Sequence, residues 1–176
     1  ARVLEGHEAT WERVLVSLQE VTAREQATRQ LQLSEAYAHN LFKFSPVSLW
    51  VEDFSGVRVL MDEVRERGIE DLRTFINVHP EFVTRCMREI RVIDVNQQTL
   101  RMFGAADRDT LLRQLDRVFR GEMHDSFAEQ LMDLWKGQTF QQREVINYSL
   151  AGNLMHVHMQ FGVLDGHEAN WDLVLV

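Results

Sequence analysis

The chain has 176 residues, enough for one domain and an appendage, and its 45% hydrophobic and 26% charged content is that of a soluble globular protein. A net charge of −8 without any basic stripe argues against nucleic acid, and no apolar run approaches the ~20 residues of a membrane span. A lone cysteine, Cys86, excludes an internal disulfide and fits a reducing, cytoplasmic location.

The first residues repeat the last. Residues 3–16 (VLEGHEATWERVLV) match 163–176 (VLDGHEANWDLVLV) at ten of fourteen positions with a constant offset of 160. Fixed-offset self-similarity marks tandem modules. Residues 1–19 are therefore expected to be the C-terminal strand remnant of a preceding module. Gly6-His7-Glu8-Ala9 reads as a turn and residues 11–18 as strand. Separated from its own sheet, this segment is expected to pair with a sheet edge of the intact domain, in a partner chain. Residues 20–42 contain no Gly or Pro and carry a thin apolar stripe, Leu33, Tyr37, Leu41 and Phe44, which suits a connector helix or two-stranded coil.

Residues 43–176 form the domain proper. Residues 47–54 read as a strand. Residues 55–89 switch to helical period: Val57, Met61 and Val64 share a face, Gly68 is a stop, 69–78 is a second helix, and Pro80 opens a third. Residues 90–95 are a short β run, Asn96 caps a helix ending at Gly104, and Asp107 or Asp109 caps the helix TLLRQLDRVF. A longer helix at 122–136 groups Phe127, Leu131, Leu134 and Trp135. Strands at 139–148, 154–161 and 171–176 close the chain. The second alternates, with Met155, Val157, Met159 and Phe161 on one face and His156, His158 and Gln160 on the other. The sum is an α+β domain, a five-stranded antiparallel sheet with helices on one face. Trp11 and Trp171, joined by Trp50, are expected on the outer, dimer-facing side of the sheet.

Particular residues in that order resemble a PAS domain of the sensory-box class, from bacterial multidomain signalling proteins with tandem repeats. FSPVSLWVEDF (44–54) is similar to the opening of that class. IRVIDVNQQTLRMFGA (90–105) is similar to its second strand and following helix, including the Asp-x-Asn step at Asp94 and Asn96. Glu20, Val21 and Thr22 stand where the family has Asp-Ile-Thr at its signal exit. The helical insertion at 55–89 is longer than in a minimal member. The resemblance implies a sensory module, or a ligand-free dimerisation spacer. It also implies a homodimer through connector helix and sheet, and adjacent PAS and output domains of histidine kinase or diguanylate cyclase type. This fragment itself is expected to be no enzyme, without direct membrane contact. The rival class is a small enzyme or carrier of cone-shaped, dehydratase-like fold, which needs an Asp–His pair aimed into its pocket.

The resemblance places a ligand pocket between helices and sheet, with Leu100, Phe103, Leu112, Trp135, Met155, Val157 and Met159 as candidate lining. The plain alternative is that these residues fill a close-packed core. No cofactor is the favoured expectation. His79 and His124 are the histidines considered for haem, and a photoactive flavin domain would carry an Asn-Cys-Arg-Phe-Leu core that is missing here. His156 and His158 share a strand face but have no metal-ligand partner in sequence, so no metal is expected. Cys86 is either a redox sensor or a small buried hydrophobe. Asp94 and Asn96 are read as structural caps, Asp94 bonding nearby backbone.

Overall fold

The computed structural model describes residues 2–3, 5–6, 8–10, 14–16, 20 and 22–176. The chain divides into two units, Ala1–His39 and Asn40–Val176. In the first, β1 (Arg2–Val3) and β2 (Val14–Leu15) pair antiparallel, Arg2 opposite Leu15 and Val3 opposite Val14. Gly6 turns the connection at φ 85°, a left-handed backbone that glycine adopts without strain. Helix α1 (Thr22–Phe44) opens in the first unit and ends in the second. It has no buried residue, and Leu31, Leu33, Tyr37, Leu41 and Phe44 are exposed. Of the repeat and exit-junction positions, Leu4, His7, Trp11, Leu18 and Val21 lie outside the described residues.

The second unit runs β3 (Trp50–Asp53), α2 (Ser55–Glu66), α3 (Leu72–Val78), α4 (Glu81–Glu89), β4 (Arg91–Val95), α5 (Gln97–Phe103), α6 (Arg108–Leu112), α7 (Leu115–Val118), α8 (Glu122–Trp135), β5 (Phe140–Tyr148), β6 (Leu154–Val163) and β7 (Val174–Leu175). The strands form one antiparallel sheet in the order β4-β3-β7-β6-β5. The last strand thus lies in the middle, beside the first strand of the domain.

Two apolar clusters make the core. The larger joins α2, α3, α4 and α8 to the β6–β7 end of the sheet through Val57, Met61, Val83, Cys86, Leu131, Phe161, Trp171 and Val174. Helix α2 enters it with Val57, Leu60, Met61 and Val64, one helical stripe. Gly56 lets α4 come close, since a Cβ there would sit 2.8 Å from Glu89 Cβ. The smaller cluster packs Trp50, Val95, Phe103, Leu111, Val118 and Leu150 under α5–α7.

Several boundaries differ from the sequence reading, each for a local reason. The helix expected at 69–78 starts at Leu72 because the Asp71 carboxylate accepts the N–H groups of Arg73 and Thr74. Pro80 occupies the capping position before α4 rather than its first turn. The helix expected over TLLRQLDRVF is two short ones. Asp107 caps the first by accepting from Thr110 N at 2.7 Å, and the chain leaves helical geometry at Gln114. The first strand of the domain starts at Trp50, not 47, because the amide and carbonyl of Leu49 bond to residues 96 and 99.

The last strand starts at Val174, not 171. Trp171 has φ 57°, its N–H donates to His167 O at 2.7 Å, and its carbonyl accepts from Phe54 N at 2.8 Å. Its ring is 2% exposed, in the core rather than on the outer sheet face. The Arg58 guanidinium lies 4.9 Å from that ring. Trp50 is likewise buried, edge-on to Phe103 at 5.4 Å. Both tryptophans supply apolar area that the helices must cover, so burial outweighs the outward placement expected for them.

Candidate functional site

The helix-covered face of the sheet follows from strand alternation. On β6, Met155, Val157, Met159 and Phe161 face inward, and His156, His158 and Gln160 are exposed. Their cross-strand partners on β5 are Asn147, Val145, Arg143 and Gln141. The inner face is therefore apolar on β6 and mostly polar on β5.

Arg143 is anchored. It donates to Ser126 O at 2.9 Å, to Asp133 Oδ2 at 2.8 Å and to Gln141 Oε1 at 2.7 Å, tying β5 to α8. Its Nε and the Oδ1 of Asn147 are buried without hydrogen-bond partners among the described residues.

Glu52 is the most unusual group on this face. In Trp50-x-Glu52-x-Phe54 the carboxylate takes the inward position between two buried aromatics, on a strand next to the sheet centre. Its strand neighbours are Val92 and Val174. It is 8% exposed, and among the described residues no hydrogen bond or charge acts on its carboxylate. Burial alone, with no charge acting on it, pushes its pKa from 4.5 to about 7. The sequence reading missed Glu52, although the alternation of its strand places it inward.

A second polar centre sits where α1 meets the sheet. Asn96 is 1% exposed. Its Oδ1 accepts from Thr99 N at 2.9 Å, capping α5, and from Leu49 N at 3.2 Å. Its Nδ2 donates to Val47 O at 2.8 Å and to Phe42 O, in the last turn of α1, at 3.2 Å. Thr99 Oγ1 adds Leu49 N at 3.0 Å and Ser48 Oγ at 2.8 Å. Asp94 has a smaller local role: its carboxylate accepts from Val95 N at 2.8 Å and lies 3.9 Å from Arg108 Nε.

The structure does not gather the proposed pocket lining into one surface. Leu100, Phe103 and Met155 belong to the smaller cluster, and Trp135 and Met159 pack on the larger. Leu112 and Val157 are half-buried. Trp135 turns toward the inserted helices, where its Nε1 donates to Glu70 O at 3.0 Å and the Arg65 guanidinium lies 4.3 Å from its ring. Two open depressions, of ≈ 370 and ≈ 410 Å³, lie there too, one lined by Ile69, Phe75 and Val78, the other by Arg65, Ile69 and Trp135.

At the exit junction Glu20 is exposed and Thr22 opens α1, with Val21 outside the described residues. Cys86 is fully buried, and burial pushes its thiol up to about 12, so it is uncharged at neutral pH. His79 lies beside Glu81 at 3.3 Å, and His124 is 3.8 Å from Asp125. Among the described residues no three His, Cys, Asp or Glu converge as a metal site, and no helix is long and apolar enough to cross a membrane.

No family model and no curated protein matches the chain. Solved structures do. A variant of RsLOV superposes with a TM-score of 0.50 at 18% identity, over 83% of this chain and 65% of that one. A domain of a sensory box sensor histidine kinase/response regulator from Geobacter sulfurreducens gives 0.49 at 13% identity, over 82% and 93%. The PAS domain of an HTR-like protein from Haloarcula marismortui gives 0.47 at 16%, over 86% and 94%. At such identities the likeness is one of fold. With a five-stranded antiparallel sheet ordered β4-β3-β7-β6-β5 and helices against it, this chain has the PAS fold.

Proposed function

We propose that the chain is a sensory or regulatory PAS module. It relays a ligand, redox or partner signal along a helical connector to an output domain of histidine kinase or diguanylate cyclase type. The observation that carries this reading is the junction of sheet and helix. A 23-residue helix with no buried residue ends with its Phe42 carbonyl accepting a hydrogen bond from Asn96, the residue that joins β4 to α5. A long helix with a thin apolar stripe and no buried residue gains little from the domain it joins, and a connector is the role that fits it. Its Leu33, Tyr37, Leu41 and Phe44 stripe is the proposed contact with a second copy, together with the sheet. The repeat at offset 160 is taken as the end of a preceding module of the same kind.

Such a relay needs only a free-energy difference between two arrangements of sheet and helix. The inner face supplies groups for one. The Glu52 carboxylate is buried and the Asn147 Oδ1 is buried without a partner among the described residues, and at such groups a bound group or a proton changes the local energy most. Redox sensing through Cys86 fits poorly, because a buried, protonated thiol is a weak nucleophile.

A specific observation also favours the spacer reading: side chains of two clusters occupy the space between helices and sheet, and the open depressions lie elsewhere. Native mass spectrometry with an absorbance spectrum on one sample separates the two. A dimer carrying a stoichiometric small molecule or chromophore supports ligand sensing. A dimer of bare chains supports the spacer. A monomer of bare chains at micromolar concentration contradicts both.

A further inference from the structure

We propose that Asn96 is a latch, a positioning residue through which the last turn of α1 is coupled to the sheet and to α5. The inference deepens the relay reading above by naming where the connector grips the domain.

Capping alone does not explain the residue. A helix N-cap needs one acceptor, and Asp or Ser serves as well as Asn. The Asn96 Oδ1 fills that role on Thr99 N. Only the amide group gives two further donors, and both are used on carbonyls outside α5, those of Phe42 and Val47. The orientation of the amide is fixed by its partners, since N–H groups face Oδ1 and carbonyl oxygens face Nδ2. The Phe42 carbonyl is one of the last four of α1 and lacks an intrahelical partner; it accepts from Ser45 N at 3.3 Å, just past the helix, and from Asn96 Nδ2, its bond to the sheet side.

Position adds to this. Asn96 joins β4 to α5, and its own N–H donates to Leu49 O at 3.1 Å, just before β3. One side chain with 1% exposure thus bonds the connector, the entry to β3 and the start of α5. Apolar packing holds α1 only lightly, since none of its side chains is fully buried and only Phe42 and Lys43 are half-buried. A shift or rotation of the last turn of α1 must either break the bond from Nδ2 or move Asn96, and with it the cap of α5.

The test is a double-mutant cycle on the whole chain. Asn96→Asp keeps the cap acceptor and replaces the donor with an oxygen facing two carbonyls. Ala36→Pro breaks α1 far from the junction. Amide hydrogen exchange is read at residues 97–103. With Asn96 present, Ala36→Pro is expected to speed exchange there about fivefold or more, and with Asn96→Asp less than about twofold. Should Asn96→Asp fail to fold by circular dichroism, Asn96→Ser, which also caps but lacks the amide, takes its place in the cycle. An equal effect in both backgrounds, or none in either, overturns the latch. The cycle involves no ligand and no output domain. A positive result therefore stands even if the protein binds nothing, and an additive result in a ligand-bearing protein removes the latch alone.

Discussion

The two copies of the repeated hairpin make a natural comparison. Arg2 pairs with Leu15 and Val3 with Val14; 160 residues on, Gly162 pairs with Leu175 and Val163 with Val174. Gly6 and Gly166 sit at φ 85° and 87°. Their N–H groups donate to Glu8 and Glu168 at 3.0 and 2.9 Å. Turn and register are therefore the same in a two-stranded and in a five-stranded sheet. What differs is packing. The C-terminal copy buries Trp171 and Val174, and its backbone bonds to Phe54 and Trp50. Of the pairs described in both copies, Val16 is exposed where Val176 is half-buried. Local sequence sets the shape of this motif, and tertiary burial sets how much the domain depends on it.

The largest effect is expected at the buried tryptophan of the C-terminal copy. Trp171→Ala removes a buried indole from the larger cluster and should destabilise the domain by about 4 kcal/mol in urea unfolding. A loss below about 1 kcal/mol would mean that the C-terminal hairpin is no more anchored than the N-terminal one.

Next is the pH dependence set by Glu52, beside which Val174 of that hairpin lies. Its folded pKa is about 7, above the ordinary 4.5, so between these values the folded state holds more protons than the unfolded. Its contribution is full below pH 4.5 and is lost as pH rises to about 7, amounting to roughly 3 kcal/mol. Unfolding titrations at pH 5 and pH 8 should show this slope, and Glu52→Gln should abolish it and be the more stable form at pH 8. A wild-type slope of zero would place the carboxylate in water.

The smallest effect sharpens the comparison. A Cβ at Gly6 or Gly166 meets no atom within 4 Å, so only the left-handed backbone resists substitution. Gly166→Ala should lower the melting stability of the domain by about 1 kcal/mol, and Gly6→Ala should leave it unchanged. Equal losses would show that the two hairpins contribute alike to the domain.

Much of the fold was legible because local signals agree with it. Asn96 and Gly104 bound α5, and Gly68 at φ 77° follows α2. The alternation of β6 also carries through to burial, with Phe161 buried and His156 and His158 exposed. What was not legible depends on distant partners. Trp171 sits in the turn rather than the strand because Phe54 claims its carbonyl and the inserted helices cover its ring. The proposed lining scattered over two clusters because sequence spacing cannot tell which helix covers which end of the sheet. Asn96 reads from sequence as a cap, while its bonds to Phe42 and Val47 span 54 and 49 residues.

The central claim, that a change on the inner sheet face reaches the connector, is tested most directly by amide exchange at residues 40–49 in wild type and Glu52→Gln. At pH 8 the two differ in one buried charge, and at pH 5 they match in charge. The account predicts faster exchange in the wild type than in Glu52→Gln at pH 8 and equal exchange at pH 5. If β3 and β7 amides differ at pH 8 while those of 40–49 stay the same, the core and the connector are not coupled and the relay reading is wrong.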